Sequence, residues 1–162
     1  MADGWVTADD GETVLRFLPK NKMTIPFKPF ATDKRATGYT MEFEIATHNV
    51  TDYDAVIMSC VHDGRGFTIK PQSITFKSEQ SDAIVTYFKE NERVRVTLTI
   101  EAQTLNRFVK LYINGVLCGV EQYKENDNFQ LSTPQNITIG SDECGLDLYK
   151  LRFYNRNLGD DE

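Results

Sequence analysis

No apolar run in this chain exceeds a few residues, and a bilayer-spanning helix needs about 20. Cysteine is scarce, with three in 162 residues, at Cys60, Cys118 and Cys144, and no CxxC pair. An odd, scattered set makes neither a disulfide framework nor a zinc knuckle. Cys60 and Cys118 sit in the apolar runs VIMSCV and GVLCGV, where a free Cys acts as a small buried hydrophobe. Reduced structural thiols are the expectation, with a Cys60–Cys118 bridge as the alternative; free thiols point to folding in a reducing compartment. Histidine is almost absent. His48 and His62 both fall in expected loops, and neither is accompanied by a Ser or Cys in a nucleophile-elbow context, so no catalytic histidine is expected.

Basic charge is also short. Against 24 Asp and Glu there are 18 Lys and Arg, a net charge of −6, and the pI is about 5.0. Phosphate-backbone binding needs a cationic surface, so nucleic acid is excluded as an expected partner. The opening residues, Met1-Ala2-Asp3-Gly4-Trp5, lack the basic start and apolar stretch of a signal peptide, and none is expected in this chain. Whether Met1-Ala2 is native or marks excision from a larger protein stays open. Helical periodicity is missing throughout, and with it any Gly-rich phosphate loop opening onto a helix.

What is present is β structure. The chain is 40% hydrophobic and 26% charged, ordinary for a soluble globular protein. Its length fits a single domain, 1–162, that buries ~70% of its unfolded surface. Glu12–Leu18 alternates as a strand, and the Pro-limited Met23–Phe27 should be an edge strand. In Tyr39–Ala46, Met41, Phe43 and Ile45 share one face and Glu42 and Glu44 the other. Asp54–Val61 is apolar on both sides and reads as a mid-sheet strand, followed by a turn over His62–Gly66. Short strands are expected at 67–70, 73–77 and 83–88. Arg93–Ile100 has the strictest alternation, with Val94, Val96, Leu98 and Ile100 inward. The stretch 108–158 reads as two hairpins, the first turning at Asn114-Gly115, where a type I′ turn needs positive φ twice. In the last strand, strict alternation puts Tyr149, Leu151 and Phe153 on one face. Leu148, Lys150, Arg152 and Tyr154 fall on the other, with Arg152 pairing Glu42 or Glu44. About ten to thirteen short strands with regular turn signals make an all-β sandwich or barrel.

LYINGV, ITIGS and LYKLRFYNRNL, in that order, resemble the C-terminal half of laminin G-like domains of the concanavalin A-like lectin/glucanase superfamily. TVLRF and TMEFEI fit the early strands of the same pattern, so the resemblance covers a core of about 12–158. It implies a two-sheet antiparallel jelly-roll sandwich. Such domains occur in bacterial surface proteins, extracellular matrix proteins and phage tail or virion proteins. Reduced thiols and the missing signal favour the phage setting: folded in the bacterial cytoplasm, exposed on a virion surface or outside the cell. Where the family often carries Asp-Glu in the last strand this chain has Tyr149-Lys150, so no role of those acids transfers.

The fold class also hosts glycoside hydrolases, which need an acid and a base or nucleophile ~5–9.5 Å apart. Glu42 and Glu44 point the same way, but the ExDxE-like run stops at Ile45-Ala46; the pair reads as solvated acids held by Arg93, Arg95 or Arg152. The expectation is a non-catalytic carbohydrate-binding module taking a cell-surface glycan through the loop residues Tyr53, His62, Asp63, Arg65 and Phe129. The alternative is a structural protein–protein interaction domain anchored by Trp5 and Tyr123, with a glycoside hydrolase ranking third. No cofactor is expected. The calcium candidates are Asp52 with Asp54, Asp127 with Asn128, and Asp142 with Glu143, none with the spacing of a known calcium loop.

Overall fold

The computed structural model describes residues 4–28, 38–62, 64–77, 83–101, 107–123 and 136–154. Among these are thirteen strands: β1 Trp5–Thr7, β2 Thr13–Phe17, β3 Met23–Ile25, β4 Gly38–His48, β5 Met58–His62, β6 Arg65–Lys70, β7 Ser73–Lys77, β8 Ile84–Tyr87, β9 Val94–Glu101, β10 Arg107–Ile113, β11 Val116–Tyr123, β12 Ile137–Ile139 and β13 Gly145–Tyr154. No helix among the described residues is long and apolar enough to cross a membrane. The strands form two antiparallel sheets. One has seven strands, β1-β2-β13-β4-β9-β10-β11, and the other six, β3-β12-β5-β6-β7-β8. β3 stands at a sheet edge, as its Pro26 neighbour requires.

The core lies between the sheets. Met41, Phe43 and Ile45 of β4 and Val94, Val96, Leu98 and Ile100 of β9 are buried from one side. Phe67 and Ile69 of β6 and Ile74 and Phe76 of β7 meet them from the other. Phe43 and Phe67 touch across the interface with ring centroids 5.3 Å apart. The strict alternation of β4 and β9 follows from this arrangement, with apolar side chains facing the second sheet and polar ones facing outward. At one end Phe27 packs edge-on against Phe153 at 5.1 Å.

The Asn114-Gly115 turn has φ of 51° and 82°, the double positive φ of a type I′ hairpin. The second expected hairpin does not exist. β12 sits in the six-stranded sheet between β3 and β5, while β13 sits in the seven-stranded sheet between β2 and β4. The segment Gly140–Cys144 therefore crosses from sheet to sheet. Gly140 begins the crossing at φ 121°, where an added Cβ would stand 2.1 Å from the Asn21 carbonyl oxygen.

Two bulges correct the alternation read from sequence. In β13 the register steps from Leu148↔Ile45 to Lys150↔Glu44, leaving Tyr149 as the extra residue. Leu148, Leu151 and Phe153 consequently all pack on the core, and Tyr149 turns outward. In the β10–β11 pair the register steps from Leu111↔Gly119 to Tyr112↔Leu117, so Cys118 is unpaired. Cys118 is exposed, contrary to expectation, whereas Cys60 and Cys144 are buried; all three thiols are free. Two further expectations also shift. Trp5 belongs to a short strand, not a lead-in, and His48 and His62 end strands instead of lying in loops.

Candidate functional site

The outer face of the seven-stranded sheet carries the polar members of β2, β4, β9 and β13. At one end it is hollowed into a cleft of about 460 Å³. The turn after β1 (Ala8, Asp9, Asp10) forms one wall, Asn49 and Asn91 the rim, and Arg16, His48, Arg93, Asp147 and Tyr149 the floor. Antiparallel register explains the floor: Asp147 stands opposite Arg16 on β2 and Ala46 on β4. Because Ala46 is small, the side chains beside it have room to meet.

Asp147 is the hub. Its carboxylate accepts from Arg16 Nε at 2.7 Å and Arg16 Nη2 at 2.8 Å, a bidentate pair. His48 Nε2 lies 3.0 Å from the same Oδ1. The Asp147 side chain is only 7% exposed, against 33% for Arg16. Burial alone would push the Asp147 carboxyl up; the hydrogen bonds from Arg16 and the charge and hydrogen bond of His48 outweigh it and hold the group below the usual carboxylate range.

Arg93 forms a second centre. Its guanidinium lies 4.2 Å above the Tyr149 ring and reaches Glu12 at 2.9 Å, Glu44 at 3.2 Å and Asp10 at 3.4 Å. Lys150, not Arg152, is the other partner of Glu44, at 3.1 Å. Burial pushes Glu44 up, but Lys150 and Arg93 together keep it low. Asp10 is held low chiefly by the Glu12 backbone N–H, and Tyr149, hydrogen-bonded to Asp10, is raised by burial and by that carboxylate. Three acids of this face are thus kept ionised, the opposite of what a general acid needs.

Of the loop residues expected to bind ligand, the described ones, Tyr53, His62 and Arg65, do not line the cleft. Tyr53 is exposed between β4 and β5, its hydroxyl donating to Glu90. His62 and Arg65 face each other in register at the tip of the β5–β6 hairpin, the far end of β5 from Ile57, whose carbonyl binds the Gly140 N–H. Tyr53 is therefore not brought together with them. Asp63 and Phe129 lie outside the described residues, as do Asp127, Asn128 and the Tyr123 side chain. Trp5 is 60% exposed on the edge strand β1. Asp52 accepts from the Asp54 backbone, Asp54 reaches Lys70 at 3.8 Å, and Asp142 pairs with Lys22 at 3.3 Å. Among the described residues no three His, Cys, Asp or Glu side chains gather as a metal site. The cleft residues Arg16, His48, Asp147 and Tyr149 were missed as a group. Their signal, an Arg on one strand and a lone Asp in an otherwise apolar-flanked GLDLY run, becomes visible only once β2 and β13 are known to pair.

No family model and no curated protein matches the chain. Solved structures do. The CBM40 module of the Ruminococcus gnavus IT-sialidase bound to α2,3-sialyllactose superposes with a TM-score of 0.56 at 14% identity, covering 91% of this chain and 95% of the module. The same module bound to α2,6-sialyllactose gives 0.55 at 15%, with the same coverage. The binding domain of botulinum neurotoxin DC in complex with SialylT gives 0.53 at 14%, over 99% of this chain, which spans 50% of that one. At these identities the likeness is one of fold: the chain is a concanavalin A-like jelly-roll sandwich.

Proposed function

We propose that this chain is a non-catalytic carbohydrate-binding module whose saccharide sits in the cleft over Asp147 and Tyr149. The observation that carries the reading is the floor itself. An Arg and a His are held by the shielded Asp147 carboxylate and an aromatic ring by Arg93, and all three line an open, polar hollow. Sugars bind in such preorganised sites through a few fixed donors and acceptors beside an aromatic surface. The likeness to modules solved with sialyllactose supports the class of ligand. The non-catalytic part rests on chemistry, since Asp10, Glu44 and Asp147 all hold their carboxyls low and keep no proton to give a leaving group. The setting belongs to the same proposal: a surface or virion protein that folds reduced, in keeping with three free thiols.

A glycan array followed by calorimetry tests it. Saturable binding should weaken about tenfold or more in Tyr149→Ala, a loss of ~1.4 kcal/mol. Binding lost instead in Tyr53→Ala or Arg65→Ala would move the site to the loops, and an array silent throughout would sink the proposal. Release of reducing sugar that depends on Glu42, Glu44 or Asp147 would sink its non-catalytic half. A second reading, a protein-interaction domain, draws on the exposed Val85 and Tyr87 of β8 and Val116, Leu117 and Val120 of β11, the free edges of the two sheets. Concentration-dependent self-association, abolished by Tyr87→Lys, would favour it.

A further inference from the structure

We infer that the cleft selects an uncharged, hydroxyl-rich saccharide and discriminates against acidic sugars; this rests on the cleft being the glycan site. Two cations line the hollow, Arg16 and Arg93, and both are engaged. Arg16 gives two of its donors to Asp147, whose side chain is almost wholly out of water. Arg93 is divided among Glu12, Glu44 and Asp10. Lys150, which shares Glu44 with Arg93, is paired to that carboxylate. On the other side of the account stands Asp9, an exposed wall residue that acts on Arg16 only through space. Even with His48 counted as a cation, the five carboxylates of Asp9, Asp10, Glu12, Glu44 and Asp147 exceed the four basic groups Arg16, His48, Arg93 and Lys150, and the whole chain carries −6.

A sialic or uronic acid carboxylate would meet this field with no cation in reserve. It would have to compete with Asp147 for Arg16, leaving that shielded carboxylate to His48 alone, or with three acids for Arg93 while facing Asp9 and Asp10. Neutral hydroxyls face neither cost. They donate to the Asp9 and Asp10 carboxylates, and a hydroxyl that shares an engaged guanidinium adds no charge to the acidic surround. The arrangement thus separates this chain in ligand charge from the sialyllactose-bound modules it resembles in fold.

The test uses the whole chain on an array of charge-matched pairs: lactose with 3′-sialyllactose, and methyl-esterified oligogalacturonate with the free acid. Hits are titrated by calorimetry at low and at high salt. The neutral member should bind at least about tenfold tighter, with the gap closing as salt screens the cleft. Asp9→Asn, an exposed substitution, should narrow the gap several-fold at low salt. An acidic member that binds as well as or better than its neutral partner overturns the selection and leaves the glycan reading standing. A gap that ignores both salt and Asp9→Asn also overturns it. Silence from neutral and acidic members alike removes the glycan reading and this inference together.

Discussion

Replacing Asp147 with Asn changes one buried oxygen for an NH₂ and removes the charge at the hub of the cleft. The carboxylate accepts two hydrogen bonds from Arg16 and contacts His48, and its side chain is 7% exposed. Breaking a fully buried ion pair costs about 3–5 kcal/mol, but Arg16 is one-third exposed and can re-solvate, and an Asn oxygen still accepts one bond. The expected loss is therefore about 2 kcal/mol at pH 7, a fall in Tm of about 4–8 °C for a domain of this size. The pH dependence has a definite sign. The Asp147 carboxyl is held below its usual range in the fold, so its contribution is complete above the unfolded value of about 3.9 and disappears as pH drops through the lower folded value. Urea unfolding of both proteins at pH 7, 5, 4 and 3 should show a constant gap down to about pH 5, narrowing below about pH 4 as the unfolded chain takes up a proton that the native carboxylate still resists. A gap under about 0.5 kcal/mol at pH 7, or one unchanged at pH 3, would refute the placement of Asp147 as a buried, paired anion.

Thiol chemistry offers a second check. Burial pushes Cys60 up to about 12 and Cys144 up to about 11, while Cys118 is exposed beside the Val116 carbonyl. Ellman's reagent at pH 8 should titrate one thiol quickly in the native protein and the other two only on unfolding, and Cys118→Ser should abolish the fast phase. Gly140→Ala would drive a Cβ to 2.1 Å from the Asn21 carbonyl oxygen at φ 121°, with backbone on the far side. It should cost about 3 kcal/mol or more, read as a collapse of soluble yield or a Tm lower by roughly 6–12 °C.

Much of the architecture was readable in advance because β alternation reports burial directly. Val94, Val96, Leu98 and Ile100 face the core for the reason their period of two implies, and Asn114-Gly115 turns where positive φ is cheap. The readings that failed did so at places where the period is interrupted. An extra residue at Tyr149 resets the frame of β13, so a side chain assigned to the face of Leu151 lines the cleft instead. Cys118 is displaced the same way and ends up in solvent although its neighbours are apolar. Bulges leave no compositional mark when the inserted residue is itself compatible with a strand. The supposed hairpin of β12 and β13 failed for another reason: a short turn-rich link serves equally to reverse a strand within a sheet or to carry it across to the facing one.

The order of residues was enough to determine an all-β sandwich of short strands, its inward faces and its net negative charge, because these depend on local periodicity and composition. The cleft was decided only in three dimensions. Arg16 and Asp147 are 131 residues apart, and His48 and Asp147 are 99 apart. They come together because β13 enters between β2 and β4, and because a bulge two residues further on sets the Tyr149 ring against Arg93. Long-range strand order and a shift of register carry that information, and neither is a property of any single stretch of the chain.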